Sequence, residues 1–242
     1  MPTSIADQTT AQLGGAGSIL ARQRRDHVDL DVLLRRLRST TGQEQDEVLN
    51  RIYRLVFSHA FAEEAVLWPA IRRLLPDGEK LTLQIEQEHQ EINEHVTRLE
   101  RTPATDPGRP ALIDRVVDLL RQDVRDEEDE LLPRLQEVAS TGTLRRLGRS
   151  FDAVRRIAPT RPHPLVARRP PGNVLAALPL SLVDRARDGA DALARRVPPG
   201  VAPVPTAAGR GLAAVAARVE RLGPLQRGED PSTREGRTWS GR

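Results

Sequence analysis

The 242-residue chain carries 37 Lys+Arg against 34 Asp+Glu and no cysteine. That composition excludes disulfides, thiolate metal ligands, iron–sulfur clusters and cysteine nucleophiles, and it is compatible with the reducing cytoplasm, where we expect the protein to work. Charge is uneven: residues 1–150 hold 21 basic against 26 acidic side chains, and residues 151–242 hold 16 against 8.

No apolar run approaches the length needed to cross a bilayer, and residues 1–12 lack the basic and apolar regions of a secretion signal. Four long segments then show apolar residues at helical spacing. The first covers about residues 17–39, with Leu20, Leu30, Leu34 and Leu37 on one stripe. After Thr40-Thr41-Gly42, where Thr41 is placed to cap the next helix, the second covers about 43–75 and stops at Pro76-Asp77-Gly78. The third covers about 79–101 and stops at Thr102-Pro103; a turn-rich stretch leads into the fourth, about 111–139. Pro69 and Pro133 fall inside helical patterns, so each should kink its helix or start a new turn.

Short links between long helices predict an all-α fold, an antiparallel four-helix up-and-down bundle over residues 17–157, closed by a short helix at 144–157. Residues 158–242 form a basic, Pro/Arg-rich extension, expected to be partly disordered, with weak helices at about 174–197 and 207–222 and no order beyond Gln226. Its arginines suit an anionic or protein partner. The extension lacks the interleaved aromatics of a single-strand binder and any DNA-reading motif, which argues against nucleic acid.

Ionisable residues interrupt the apolar stripes. His27 lies seven residues after Leu20 and seven before Leu34. The second helix reads Ile52, Leu55, His59, Glu63, Val66, Ala70; the third reads Ile85, His89, Ile92, Val96, Leu99; the fourth reads Leu112, Val116, Leu119, Asp123, Glu127, Leu131. At about 1.5 Å per residue these groups fall at levels agreeing within roughly 10 Å along the bundle axis. The pairs His59/Glu63 and Asp123/Glu127 share a helix face at i,i+4 spacing. Imidazoles with carboxylates suit iron, manganese or zinc, and burying them without a cation is costly. Glu64 and Glu128 read as supporting or solvated groups rather than ligands, and His95 as a surface residue. His163 has no assigned role, and Tyr53 and Trp68 are core or rim.

The chain also repeats itself. Glu63/Glu127, Glu64/Glu128, Leu67/Leu131 and Pro69/Pro133 align at an offset of 64, and Asp26-His27 aligns with Glu88-His89 at an offset of 62. Two similar helical hairpins facing each other can build a two-metal site.

At Asp26-His27 through Leu34, His59 through Pro69, Glu88-His89-Gln90-Glu91-Ile92 and Glu127 through Leu135, the sequence resembles the HHE cation-binding branch of the hemerythrin-like family. The resemblance implies two non-haem irons, oxo- or carboxylate-bridged, with ligands at His27, His59, Glu63, His89 and Glu127. It also implies a small ligand such as dioxygen, peroxide or nitric oxide. Two positions depart from the family. Asp123 stands where it has a helix-four histidine, and can ligate as a carboxylate. Asn93 stands where reversible oxygen carriers have a second helix-three histidine. The departures point away from oxygen carriage and towards sensing or reactivity, with a structural or regulatory protein holding a degraded site, or an iron buffer, as alternatives.

Overall fold

A computed structural model describes residues 3–198 and 200–234. Among them the regular elements are all helical. Helix α1 spans Ile19–Arg38 and is capped by Ser18, whose hydroxyl accepts from the Leu20 N–H. Helix α2 spans Gly42–Ala62. Thr41 occupies its N-cap position, but its side chain makes no capping bond, unlike the expectation.

From α2 the chain passes through a π-helical turn, Glu63–Leu67, into α3, Trp68–Leu74. Helix α4 spans Gly78–Arg101 and α5 spans Arg109–Asp126. A second π turn, Glu127–Leu131, leads into α6, Leu132–Val138, and α7 follows at Thr141–Arg155. Each π turn lies just before a proline of the repeat, and in each an i→i−5 bond closes the wide turn: Trp68 N–H to the Glu63 carbonyl, and Leu132 N–H to the Glu127 carbonyl. A wider turn accommodates the missing N–H and the ring of the proline, which a regular α-helix cannot. The extra residue also shifts the inward register, so that Leu67 is fully buried where Val66 was expected to be.

Two apolar clusters hold these helices together. One joins Ile19 and Leu20 of α1 to Leu67, Trp68, Ile71, Ile85, Leu132, Leu135 and Phe151. The other joins Leu30, Leu34 and Leu37 to Val48, Ile52, Phe57, Ile92, Val96, Leu99, Val116 and Leu120. The start of α1 thus shares a cluster with the end of the second helical segment, and its end with the start of that segment. α4 is split the same way, and so is α5 taken with the π turn and α6 that continue it, so each of the four helical segments crosses from one cluster to the other. Helix α7 closes over α1 at Gly148, where a Cβ would lie 2.5 Å from the Gly17 carbonyl oxygen. The stretch ahead of α1 also packs inward through Ile5 and Leu13, both fully buried.

The extension departs from the disorder expected of it. Helix α8, Gly172–Arg196, pairs with α9, Pro203–Val219, around Ala176, Leu180 and Ala216. Polar bonds tie this pair to the bundle. Arg161, 3% exposed, reaches Glu100 on α4 at 2.8 Å as well as Asp188 and Asp191 on α8. Arg169 bonds Glu86 at 2.7 Å and Glu79 at 2.8 Å. The His163 N–H donates to Asn93 Oδ1 at 3.0 Å. Gln87 donates to Ser232 at 2.8 Å, so order continues beyond Gln226; residues 235–242, part of the stretch expected to be disordered, lie outside the described residues. Several of the arginines that made the extension basic are therefore engaged within the chain. No helix among the described residues is long and apolar enough to cross a membrane.

His163 gives this junction a pH dependence. Burial alone would lower its pKa, but Asp184, at 3.1 Å, and Glu220 outweigh burial and raise it to about 9. A histidine raised on folding contributes fully below its unfolded value near 6.5 and loses that contribution as pH rises through its folded value. Unfolding free energy should therefore fall between pH 6.5 and about 9, by on the order of 3 kcal/mol. Urea denaturation across that range checks it, with a His163→Gln variant showing a flatter profile. Arg161→Met should cost about 3–5 kcal/mol in the same assay, because it leaves three carboxylates without their buried cation.

Candidate metal centre

Between the two apolar clusters lies a polar layer to which α1, α2 with its π turn, α4, and α5 with its π turn each contribute. The structure brings together the sequence-predicted set His27, His59, Glu63, His89, Asp123 and Glu127, all buried. Ligand atoms of His27, His59 and Glu127 lie within 4.8 Å of one another, and so do those of Glu63, His89 and Glu127. Glu127 belongs to both triads, offering one oxygen 3.2 Å from His27 Nε2 and the other 3.8 Å from His89 Nε2. Glu63 likewise lies 3.2 Å from His59 Nε2 and 3.7 Å from His89 Nε2. Asp123 falls in neither triad; its Oδ1 stands 3.5 Å from His89 Nε2.

Each imidazole is oriented from behind. His27 Nδ1 bonds Glu128 at 2.9 Å, His59 Nδ1 bonds Asp26 at 3.1 Å, and His89 Nδ1 bonds Glu64 at 3.0 Å. A carboxylate on Nδ1 selects the tautomer whose Nε2 is free to ligate and makes that nitrogen more basic. Glu64 and Glu128 thus sit behind imidazoles rather than in solvent. Sequence reasoning did not assign Asp26 this role, nor did it find Gln23, whose Nε2 donates to Glu63 at 2.6 Å. The Asp26-His27/Glu88-His89 repeat held the signal for Asp26. Nothing in the local pattern marks Gln23. Arg155 from α7 bonds Asp26, and Arg168 approaches Glu64 at 3.6 Å, so guanidiniums stand behind two of the three supports. His95 lies away from the layer, its Nδ1 paired with the Glu91 carbonyl. Trp68 stacks on His89, their centroids 6.2 Å apart, and Phe151 meets His59 edge-on, so the core aromatics wall the layer.

The protein groups alone leave this layer incomplete. His59 Nε2, Glu63 Oε2, Asp123 Oδ1 and Glu127 Oε1 are buried and make no hydrogen bond among the described residues. Six carboxylates (Glu63, Asp123, Glu127, Asp26, Glu64 and Glu128) surround three imidazoles and two guanidiniums, an excess of negative charge in an apolar interior. Such a donor set fits hard or borderline cations. The titration tendencies agree. Burial disfavours the charged imidazoles, but hydrogen bonds donated to Glu127 and Glu128 raise His27 to about 10, and Glu63 and Asp26 raise His59 to about 9. Burial and the neighbouring Glu127 push Glu63 up. Asp123 is also pushed up, by burial first, with Glu127 and Glu63 adding to it. Glu127 goes down against its burial, held by His27 and His89.

The internal symmetry breaks at one place. Asp26 backs His59, and its counterpart Glu88 lies buried beside Asp123, which occupies the place that corresponds to His59. With a carboxylate there instead of an imidazole, Glu88 Oε2 makes no hydrogen bond among the described residues, and burial followed by repulsion from Asp123 and Asp126 raises its pKa. Asn93, on the inner side of α4, donates to the His89 carbonyl at 2.9 Å and takes the His163 N–H, so it serves the junction with the extension.

Carboxylates and imidazoles converging from four helices define an all-helical cation-binding domain. Residues 18–135 match the model of the hemerythrin HHE cation binding domain, and through them the chain belongs to that family. It is 24% identical over 131 residues to an uncharacterised hemerythrin-like protein of Schizosaccharomyces pombe, covering 54% of this chain and 64% of that one. It is 30% identical over 136 residues to a DNA nickase of Nostoc, covering 54% of this chain and 37% of the nickase. The match therefore spans less than two thirds of either relative. No solved structure matches.

Because carboxylates raise the pKa of His27, His59 and His89 and a cation needs all three deprotonated, loading a divalent metal onto chelator-treated protein at pH 7 should release about three protons per chain. Titration calorimetry in two buffers of different ionisation enthalpy measures that number. Affinity should rise with pH up to about 9 to 10, the range of His59 and His27. Binding that is independent of both buffer and pH would contradict this arrangement.

Proposed function

We propose that this centre holds two non-haem iron ions and binds, senses or reacts with dioxygen, peroxide or nitric oxide. The observation that carries the reading is a cavity of about 20 Å³ against the polar layer, with Leu30, Leu55, Val56, Leu120 and Val124 on one side and His27, His59, His89 and Asp123 on the other. That volume admits about one water-sized guest, and its apolar side suits a small, weakly polar molecule.

His27, His59 and Glu127 would hold one cation and Glu63, His89 and Glu127 the other, with Glu127 shared. When bound there, iron supplies redox cycling and Lewis acidity. The chain's own residues do the rest. Asp26, Glu64 and Glu128 fix the three imidazole planes, the two apolar clusters exclude bulk water, and Asp123 presents a carboxyl at the cavity wall. Asp123 stands outside both triads, where an imidazole backed by Glu88 would reach further into the centre, which leaves the second cation more open to a guest.

A second reading, a structural or regulatory protein with a reduced cation site, is favoured by Asn93, because that position is committed to holding the extension. Metal analysis with an absorption spectrum separates the two. The first reading expects about two irons per chain, a near-ultraviolet band, a spectral change on adding nitric oxide, and loss of iron in a His59→Ala/His89→Ala double variant. Zinc alone, or no metal, would sink it. Glu127→Ala should lower retention of both ions together, since both triads use it. Asp123→His, with Glu88 already behind it, should raise retention of the second ion; unchanged iron content would count against the symmetry argument.

A further inference from the structure

Away from the metal centre, the surface where α2, α7 and α8 meet opens into a cleft of about 630 Å³. Four guanidiniums converge on it, Arg54 from α2, Arg155 and Arg156 from the end of α7, and Arg185 from α8, together with the hydroxyls of Ser58 and Thr160. The one carboxylate on its wall, Asp152, is gripped by Arg22 from α1 at 2.7–2.9 Å. Arg54 lies 3.5 Å from Asp188, and Arg185 donates to the Arg156 carbonyl at 2.7 Å. The Arg156 side chain is exposed and makes no side-chain bond among the described residues. The lining is therefore cationic, with guanidinium donors left to spare.

Guanidinium forks match phosphate oxygens in pairs, and several forks around one concavity select a ligand with several anionic oxygens. The volume exceeds what a single orthophosphate fills, and no aromatic ring lines the wall to stack a nucleobase. The cleft also reaches the metal layer. Arg155 bonds Asp26, and Asp26 accepts from His59 Nδ1 at 3.1 Å.

We propose that this cleft binds a compact phosphate-bearing polyanion, and that the bound anion draws Arg155 off Asp26 and so changes how His59 is held. The binding stands without any metal. Only the consequence at His59 rests on the metal reading above, through the role that reading gives the imidazole.

Calorimetry on the full chain, as purified and after chelator treatment, tests the binding with pyrophosphate in dilute buffer, where screening is weak. Saturable one-to-one binding is expected in both samples. Arg156→Ala and Arg185→Ala, both exposed, should each weaken it roughly tenfold, while Arg73→Ala, exposed elsewhere on the surface, leaves it unchanged. In the chelator-treated protein, saturating pyrophosphate should shift the side-chain nitrogen resonances of His59 but not those of His163. No binding, or binding indifferent to Arg156 and Arg185, overturns the site. An oligonucleotide that binds more tightly than pyrophosphate and loses affinity in the same variants reassigns the cleft to a polymer backbone. Intact binding with unmoved His59 resonances overturns the coupling. None of these outcomes depends on which metal the centre holds.

Discussion

The structure depends on burying a layer of ionisable groups between two apolar clusters. Isolated charges in such a place are prohibitively costly unless each is paired, so every imidazole of the layer carries a carboxylate on its outer nitrogen. That pairing decides much of the rest. It turns three Nε2 atoms to one centre, and it requires that α1, α2, α4 and α5 all place their polar turn at one level. It also accumulates more negative charge than the imidazoles and guanidiniums offset. A cation bound there would resolve that imbalance, and four polar atoms at the centre make no hydrogen bond among the described residues.

The two π turns serve the same end. Each begins at a glutamate of the centre, Glu63 or Glu127, and precedes a proline that a regular helix would not tolerate there. The extra residue lets the glutamate face the layer while Leu67 or Leu131, four residues on, faces the apolar cluster beneath it. Sequence spacing showed the glutamates, the prolines and their repeat. It did not show the wide turns, because a one-residue insertion leaves no mark in a pattern read at 3.6 residues per turn.

The bundle and its ligand layer were largely legible in the sequence because helical periodicity, short links and polar interruptions of apolar stripes are local signals. The helix limits at 17–39 and 79–101 differ from those in the structure by one or two residues. What stayed hidden depends on tertiary partners. Asp26 looks like a neighbour of His27 yet serves His59, because successive positions on a helix point about 100° apart and towards different neighbours. The extension reads as partly disordered from its Pro and Arg content, with two weak helices whose docking leaves no local mark. Its order comes from long-range pairs such as Arg161 with Glu100 and Arg169 with Glu86, which no composition records. His163, set among prolines, gave no local sign of the buried Asp184 that holds it.

Those pairs reach the metal layer as well as the surface. Arg155 stands behind Asp26 and His59, and Arg168, from the extension, stands behind Glu64 and His89. Hydrogen bonding to His59 and the Arg155 guanidinium help hold the Asp26 carboxyl down against its burial, and an ionised support makes its imidazole the better donor; Arg168 stands 3.6 Å from Glu64 in the same position. The extension is thus part of the electrostatics of the centre. Arg168 supplies one of the few positive charges facing the carboxylate excess, on the His89 side, where Asp123 sets a second carboxyl beside Glu88 in place of an imidazole and both are pushed up. The position at which the twofold symmetry of the ligands fails is therefore also the side on which the extension contributes its countercharge. A folded extension follows from that arrangement, since an untethered Arg168 would be screened by water and could not offset a charge buried at Glu64.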